Sequence, residues 1–459
     1  MSETVDEETK PQEVVRTIED FFDNEYLGYA KYVLEGRALP SVIDGFKPTQ
    51  RKVAFVADQV WRKGDEKPMK VFQLAGRVAA TAFYHHGNAS LESTIITMAQ
   101  TFKNSMPIFQ GIGQFGSLRS PEAGAPRYVG VKFNENFRRL YKDFELVESQ
   151  YEEGEVIEPR FFLPIIPTVL LNGGSGIAVG FATNILNRNP IDLINACLDV
   201  LDGKQPRELH PWIDGFSGTH ARAADNHNSW IIKGCYDVKN TSTVEVTELP
   251  PSLTYEKYEA HLDGLIEKGV LTSYDDHSSD KISYTLKFQR QILSSLITRS
   301  KLEDTLKIAE REGENLTTLD ENRKLLVFDR AEDIVIYFVN FRLKYYQARK
   351  DYLVKSLTEE LLVLSNRSKF IKSIIDGTLI VSARLKKDIE ADLSKGAYLK
   401  VDGSFTYLIS MPIHALTKEK FDELQKSEKS KEAELERVKK MTPSEMYRQD
   451  LIDLRKSIK

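Results

Sequence analysis

The feature that most constrains this chain is a row of large apolar side chains in its last third. Ile334, Phe338, Phe341, Tyr345, Ala348 and Tyr352 fall at spacings of 4, 3, 4, 3 and 4. That is a heptad seam, a stripe that only a helix presents and that a second element must cover. It continues less strictly through Leu357, Leu361 and Leu364. The spacing predicts one helix over 331–376, about 69 Å long at ~1.5 Å per residue, with Gly377 as its stop. Thr417–Lys440 is highly charged and free of Gly and Pro, so it can run back as a second long helix. Thr442-Pro443-Ser444-Glu445 then predicts a restart with Pro at the first helical position. A compact piece ending near Pro412 separates the two. Two antiparallel arms with a globule at the tip is the shape implied. Taken alone, the segment reads first as an interaction coiled coil.

The arms leave most of the 459 residues unexplained. At ~150 residues per domain the length predicts about three domains. Charged residues make up 29% and hydrophobic ones 41%, which excludes a wholly disordered chain. No apolar run approaches the ~18–20 residues that span a bilayer. The acidic start, MSETVDEETKPQE, lacks the apolar stretch of a secretory signal. Two cysteines, Cys197 and Cys235, cannot build a disulfide framework or a zinc site by themselves. Residues 1–24 read as a polar tail in which Val14, Val15, Ile18, Phe21 and Phe22 can form a short amphipathic helix.

From Glu25 to about Arg160, short helical patterns alternate with Gly turns. Pro48–Trp61 carries Val53, Val56, Ala57 and Val60 on one face, with Arg51 and Lys52 off it. Ser90–Phe102 carries Leu91, Ile95, Met98 and Phe102. Short helices joined by tight turns suit a helix-turn-helix or winged-helix module. From Phe161 the signals become mixed α/β, with apolar Leu163–Leu171, Thr241–Leu249 and Ile282–Phe288 as candidate strands. The fold class expected is therefore α+β and multidomain.

Net charge is −5, from 63 Lys and Arg against 68 Asp and Glu, yet the first module is locally basic. Arg37, Lys47, Arg51, Lys52, Arg62, Lys63, Lys67, Lys70 and Arg77 outnumber Asp44, Asp58, Asp65 and Glu66. Such an excess suits a phosphate-facing surface, although a solvated charged face gives the same composition. No Gly-x-x-x-x-Gly-Lys-Ser/Thr loop is present, and Gly111-Ile-Gly-Gln-Phe-Gly116 lacks the βαβ setting of a dinucleotide site, so it reads as a turn. His85-His86 cannot both face one metal from a helix, and no metal site is expected in this chain. Arg127-Tyr128 closes a loop rich in Ser, Gly, Ala and Pro. Such a tyrosine is either a packing residue or a nucleophile. A phenol with a pKa of ~10 attacks a phosphodiester only with help from a cation.

Several long motifs then decide the reading. Glu35-Gly-Arg-Ala-Leu-Pro-Ser-Val-Ile-Asp-Gly-Phe-Lys-Pro-Thr-Gln-Arg-Lys52 is followed by Tyr84-His-His-Gly87, Gln110-Gly-Ile-Gly-Gln-Phe-Gly116 and Pro126-Arg-Tyr128. Then come Asn172-Gly-Gly-Ser-Gly-Ile-Ala-Val-Gly180, Pro211-Trp212, Gly215-Phe-Ser-Gly218, Thr247-Glu-Leu-Pro250 and Tyr407-Leu-Ile-Ser-Met-Pro412. In content and order these resemble the breakage–reunion region of type IIA DNA topoisomerases over about residues 25–455. The role is similar to that of the gyrase A subunit, with several motifs closer to the eukaryotic enzyme.

The resemblance implies an ATP-dependent enzyme that breaks and reseals double-stranded DNA. Tyr128 would form a 5′-phosphotyrosyl ester and Arg127 would pair with the scissile phosphate, with Arg37 and His86 as further catalytic contacts. Lys47, Arg51 and Lys52 would grip the DNA backbone. Ser175 and Ile177 belong to the turn whose Ile resembles an apolar wedge between base pairs. The implied divisions are an acidic tail (1–24), a winged-helix DNA-cleavage domain (25–160) and a tower domain (161–330). An ascending coiled-coil helix (331–376), a dimer-gate globule (377–415) and a returning helix with a C-terminal helix (416–459) complete them. A partner protein would supply the ATPase and a Toprim domain holding Mg²⁺, giving a heterotetramer with two copies of this chain. No DNA-wrapping domain is expected, so relaxation and decatenation are expected over supercoiling. A bacteriophage-encoded enzyme acting in the cytoplasm of a bacterial host is the expected setting. A non-catalytic DNA clamp and a 3′-linking tyrosine recombinase or type IB-like enzyme are the alternatives.

Overall fold

The computed structural model describes residues 17–62, 67–279, 281–382, 384–412 and 416–458. The chain forms two compact units, one running through Phe338 and the other from Val339 to Ser457.

The first unit opens with a helical run. Thr17 caps it, its Oγ1 accepting from the Asp20 N–H at 3.0 Å, and α-helical stretches Ile18–Phe21 and Leu27–Val33 alternate with π-helical turns Phe22–Tyr26 and Leu34–Ala38. The expected polar tail is therefore helical from residue 18, but Ile18, Phe21 and Phe22 are exposed and cover no core. Val14 and Val15 lie outside the described residues.

Three helices follow, Pro48–Trp61, Val71–Thr81 and Asn88–Ala99. Their facing side chains Val53, Ala57, Leu74, Val78, Leu91 and Ile95 are fully buried. Against them lies an antiparallel sheet in which Gly130–Phe133 is central, between Met69–Lys70 and Phe109–Ile112. Trp61, rather than Val60, completes the buried face of the first helix, its ring stacked on Phe133 at 6.0 Å. Arg51 also lies on that buried face, which the hydropathy pattern missed. The third helix stops at Ala99, three residues before the expected end. Gln100 leaves helical geometry (ψ 117°) and turns its amide to a loop.

Leu163–Leu171 is buried throughout but is not one strand. Pro164 and Pro167 remove ladder donors, and the segment divides into a two-residue strand, Leu163–Pro164, and a helical turn, Thr168–Leu171. Beyond it stand two antiparallel sheets. Thr219–Arg222, Ser229–Lys233 and Ala309–Gly313 form one in that order. Cys235–Val238, Thr243–Glu248, Tyr284–Lys287 and Ser273–Asp276 form the other. Val244, Val246, Tyr284 and Leu286 on the latter pack on Tyr258, Leu262 and Leu265 of helix Tyr255–Glu267.

Helix Ala331–Ile375 is as long as its seam predicts and ends just before Gly377, whose φ of 71° suits glycine. Ile334, Phe338 and Phe341 are buried as expected, but the seam then slips. Tyr346 rather than Tyr345 is fully buried, and Tyr352 is exposed. An α-helix at 3.6 residues per turn drifts off a strict heptad, and here Tyr346 is fixed by stacking on Tyr447 at 4.5 Å and donating to Asp450 at 2.8 Å. Helix Lys418–Lys440 and helix Pro443–Ser457 return along it. Leu357 meets Leu435 and Val438, and Lys431 pairs with Glu360 at 3.1 Å. Thr442 and Glu445 form the cap of the last helix, the Glu445 carboxylate accepting from the Thr442 N–H at 2.7 Å. Phe370, Leu379, Ile389, Leu393, Phe405 and Leu408 make the small core between the arms' far ends.

Candidate active site and nucleic-acid interface

Tyr128 lies at the end of a long loop that leaves strand Phe109–Ile112 and rejoins the sheet at Gly130–Phe133. Gly113 and Gly116 adopt φ of 103° and 80°, and a side chain at Gly116 would stand 2.7 Å from Pro121 backbone atoms. The Gly-x-Gly-x-x-Gly match is thus the end of strand Phe109–Ile112 and the tight turn that follows it. The Gln100 amide donates to the Phe115 and Pro121 carbonyls at 2.9 and 3.2 Å. Buried Arg119 ties the loop to segment 248–253, donating to the Glu248 carboxylate at 2.7 Å and the Pro250 carbonyl at 2.6 Å. Where the loop rejoins the sheet, the Ala125 carbonyl accepts from the Tyr128 and Val129 N–H groups. Arg127 and Tyr128 both point their side chains outward, and Tyr128 is 72% exposed.

Arg37 and Lys47 converge elsewhere on the same unit. Both line a groove of about 880 Å³, together with Ser175, Tyr84, Ser93 and Lys257. The Lys47 ammonium donates to the Ser175 carbonyl at 2.7 Å, and burial holds its pKa below the ordinary lysine value. Ser175 belongs to hairpin Gly174–Ile177/Ala182–Ile185. Gly176 is required there, because a side chain would overlap the Ala38 carbonyl. The hairpin presents Ile177 to solvent at 89% exposure. His86 is exposed, its Nε2 3.0 Å from the Tyr32 hydroxyl and its ring edge-on to Tyr84 at 5.4 Å.

Two expected phosphate contacts face inward instead. The Arg51 guanidinium donates to both Asp44 oxygens, at 2.7 and 3.0 Å, with Asp44 fully buried and Arg51 5% exposed. Asp44 also accepts from the Phe46 and Phe162 N–H groups at 3.0 Å each. Arg51 therefore braces the core. Lys52 turns to the Ala82 carbonyl at 2.7 Å and lies 3.9 Å from buried Glu158. Burial raises the Glu158 pKa, against the pull of Arg51 and Lys52. Of the other basic residues, Arg62 pairs with Asp58 at 2.8 Å, Lys67 and Arg77 are exposed, and Lys63 lies outside the described residues. Sequence reasoning gave no role to Gln100, Arg119 or Tyr32, because each acts through a partner distant in the chain. Among the described residues, no three or more His, Cys, Asp or Glu side chains gather into a group that could hold a metal ion.

Residues 37–454 match the family of the DNA gyrase/topoisomerase IV A subunit. The chain belongs to that family of type IIA DNA topoisomerases. It is 33% identical over 447 residues to the DNA topoisomerase medium subunit of Enterobacteria phage T4, covering 96% of this chain and 99% of the phage protein. It is 31% identical over 487 residues to human DNA topoisomerase 2-alpha, covering 95% of this chain but 31% of the human protein. Its fold matches the DNA-binding, cleavage and re-ligation domain of Plasmodium falciparum topoisomerase II, with a TM-score of 0.84 and 32% identity. That match covers 96% of this chain and 64% of the Plasmodium chain. The mixed α/β architecture of a type IIA cleavage core is thus present nearly end to end in this topoisomerase chain. No helix among the described residues is long and apolar enough to cross a membrane.

Proposed function

We propose that this chain is the DNA-cleaving component of an ATP-dependent type IIA topoisomerase and that Tyr128 is its nucleophile. The supporting observation is the exposed Tyr128 phenol beside exposed Arg127, on a loop fixed from behind by Gln100 and Arg119. In the proposed step the phenol loses its proton and its oxygen bonds to the phosphorus. The bond from phosphorus to the 3′ oxygen breaks, and that oxygen takes up a proton. Resealing is the reverse reaction and needs no ATP, since the ester keeps the bond energy. Arg127 pairs with the scissile phosphate and offsets the charge that develops on it, and Arg37 and His86 are further phosphate or transition-state contacts. Lys47 and Ser175 hold the DNA backbone, and Ile177 enters a base step and bends the duplex.

The three helices and three-stranded sheet around residues 48–133 are the winged-helix module of this reading. The paired long helices are coiled-coil arms, and the globule between them is a dimer gate joining two copies. A relative named a medium subunit belongs to an enzyme of several chains. A large partner carrying the ATPase and Toprim regions completes the assembly. Mg²⁺ held by that partner supplies Lewis-acid assistance when bound. The enzyme relaxes and decatenates rather than supercoils, and it is phage-encoded and acts in the host cytoplasm.

The test is Tyr128→Phe in the holoenzyme formed with the partner, Mg²⁺ and end-labelled duplex DNA, trapped with denaturant. The variant forms no covalent complex while binding DNA within about twofold of wild type, and wild-type protein is attached at the 5′ end. Covalent complexes from a clean variant preparation, or attachment at the 3′ end, overturn the assignment.

A further inference from the structure

The segment that holds the end of the Tyr128 loop is the junction between strand Met69–Lys70 and helix Val71–Thr81. Met69 and Lys70 pair with Val131 and Gly130 in the ladder. The Val71 N–H donates to the Val129 carbonyl at 3.2 Å, and the Phe72 N–H to the Pro126 carbonyl at 3.3 Å. These bonds close on either side of Arg127-Tyr128. Between them, the Lys70 ammonium donates to the carbonyl of Tyr128 itself at 2.5 Å. Among the described residues this is the one side-chain hydrogen bond made to that dipeptide, and Lys70 has no carboxylate partner there.

Like Lys47 and Lys52, Lys70 gives its ammonium to a main-chain carbonyl, and unlike them it is exposed. An exposed ammonium keeps its rotamer freedom and its hydration unless something holds it. Lys70 instead turns back onto a main-chain oxygen. Holding that oxygen holds the peptide after Tyr128, and the Tyr128 N–H on the Ala125 carbonyl holds the peptide before it, so together they restrict the direction of the Cα–Cβ bond that carries the phenol. The Tyr128 ring is 72% exposed, so little packing is available to aim it. Its aim comes from the backbone.

We propose that Lys70 is a positioning residue for the Tyr128 nucleophile, acting through the Tyr128 carbonyl. The proposal rests on the reading of Tyr128 given above. Misplacing an attacking atom by about 1 Å can lower a rate by ~10²-fold. Loss of one clamp out of three lowers it by about tenfold.

The experiment compares wild type, Lys70→Met, Lys70→Arg and Tyr128→Phe in the holoenzyme formed with the partner and Mg²⁺. Single-turnover cleavage of a duplex oligonucleotide is measured at saturating protein, with DNA affinity across a salt series and thermal unfolding alongside. Lys70→Met cleaves about tenfold more slowly, with unchanged DNA affinity, salt slope and unfolding temperature. Lys70→Arg, which keeps a cationic donor, recovers most of the rate. Cleavage by Lys70→Met within twofold of wild type overturns the proposal. So does a salt slope smaller by about one with unchanged cleavage of bound DNA, which makes Lys70 a phosphate contact. A loss that tracks a fall in unfolding temperature and is not recovered by arginine overturns it as well. Covalent complexes from Tyr128→Phe refute the underlying nucleophile instead, and that arm is read independently.

Discussion

Replacing Asp44 by Asn tests whether Arg51 is a brace or a phosphate contact. Asp44 is fully buried and accepts two bonds from Arg51 and one each from the Phe46 and Phe162 N–H groups. Asn can keep one accepting oxygen, but its amide must face a donor on the other side. The 5%-exposed guanidinium then loses its hydrogen-bonded carboxylate and keeps only the more distant pull of Glu158. Breaking one side of a buried pair costs about 3–5 kcal/mol. The unit ends at Phe338, and at ~2.1 cal/mol/K per residue its unfolding entropy is about 0.7 kcal/mol/K. The unfolding temperature therefore falls by about 4–7 °C, a shift insensitive to salt because the pair is out of solvent. Arg51→Met lowers it similarly, leaving the carboxylate with only its two N–H donors. The double variant is less destabilised than the sum by about 2–3 kcal/mol, since neither charge remains. The assay is thermal unfolding by circular dichroism, with DNA binding by fluorescence anisotropy between 50 and 300 mM salt (on the order of the range over which counterion release is read). An Arg51→Met protein that unfolds within about 1 °C of wild type while its DNA salt slope drops by about one would refute the reasoning and make Arg51 a phosphate contact.

Two further outcomes follow from side chains already placed. The His220 pKa is lowered to about 4 by burial and then by Arg188 and His210, and its buried Nε2 has no hydrogen-bond partner. Below the ordinary value of about 6.5 the unfolded chain takes a proton that the folded chain refuses. Stability contributed by neutral His220 is thus present above that value and is lost as pH falls toward about 4. His220→Gln flattens this part of a plot of unfolding temperature against pH, and an unchanged slope counts against it. Ile177 is 89% exposed, so Ile177→Ala changes stability by less than about 0.5 kcal/mol. It straightens bound DNA as read by end-to-end energy transfer, and an unchanged bend removes the wedge role.

The elements legible in the sequence are those whose signals are local. Gly377 ends one long helix, and Thr442, Pro443 and Glu445 cap and start another, because each cue acts within a single turn. Signals that depend on a distant partner were not legible. Nothing in the hydropathy of Pro48–Trp61 marks Arg51 as a buried residue, since its burial requires Asp44 seven positions earlier to fold back onto it. Leu163–Leu171 has the composition of a strand, but the prolines and the enclosing core divide it. The seam after Phe341 follows Tyr346, because that residue finds a stacking ring and a carboxylate more than 100 positions away. For the candidate site, composition left Tyr128 between a packing role and a chemical one. Its exposure favours the chemical one, which is the role proposed for it.

Ile177 and Tyr128 share a design that follows from what exposed side chains lack. Burying an isoleucine stabilises a fold by about 2 kcal/mol, a gain forgone at Ile177. A residue held in water has few neighbours to fix its direction, so precision must come from the main chain behind it. For Ile177, the neighbouring Gly176 lets the hairpin press against the Ala38 carbonyl, and Lys47 holds the Ser175 carbonyl. Ala38 follows Arg37, so the hairpin tip and the Arg37 segment are braced on the same backbone. For Tyr128, the brace is the strand–helix junction at residues 69–72. In both places a lysine ammonium donates one bond to a carbonyl within the protein and keeps its charge. Counting basic residues by charge alone therefore leaves out the part these two play in holding the main chain behind the exposed groups.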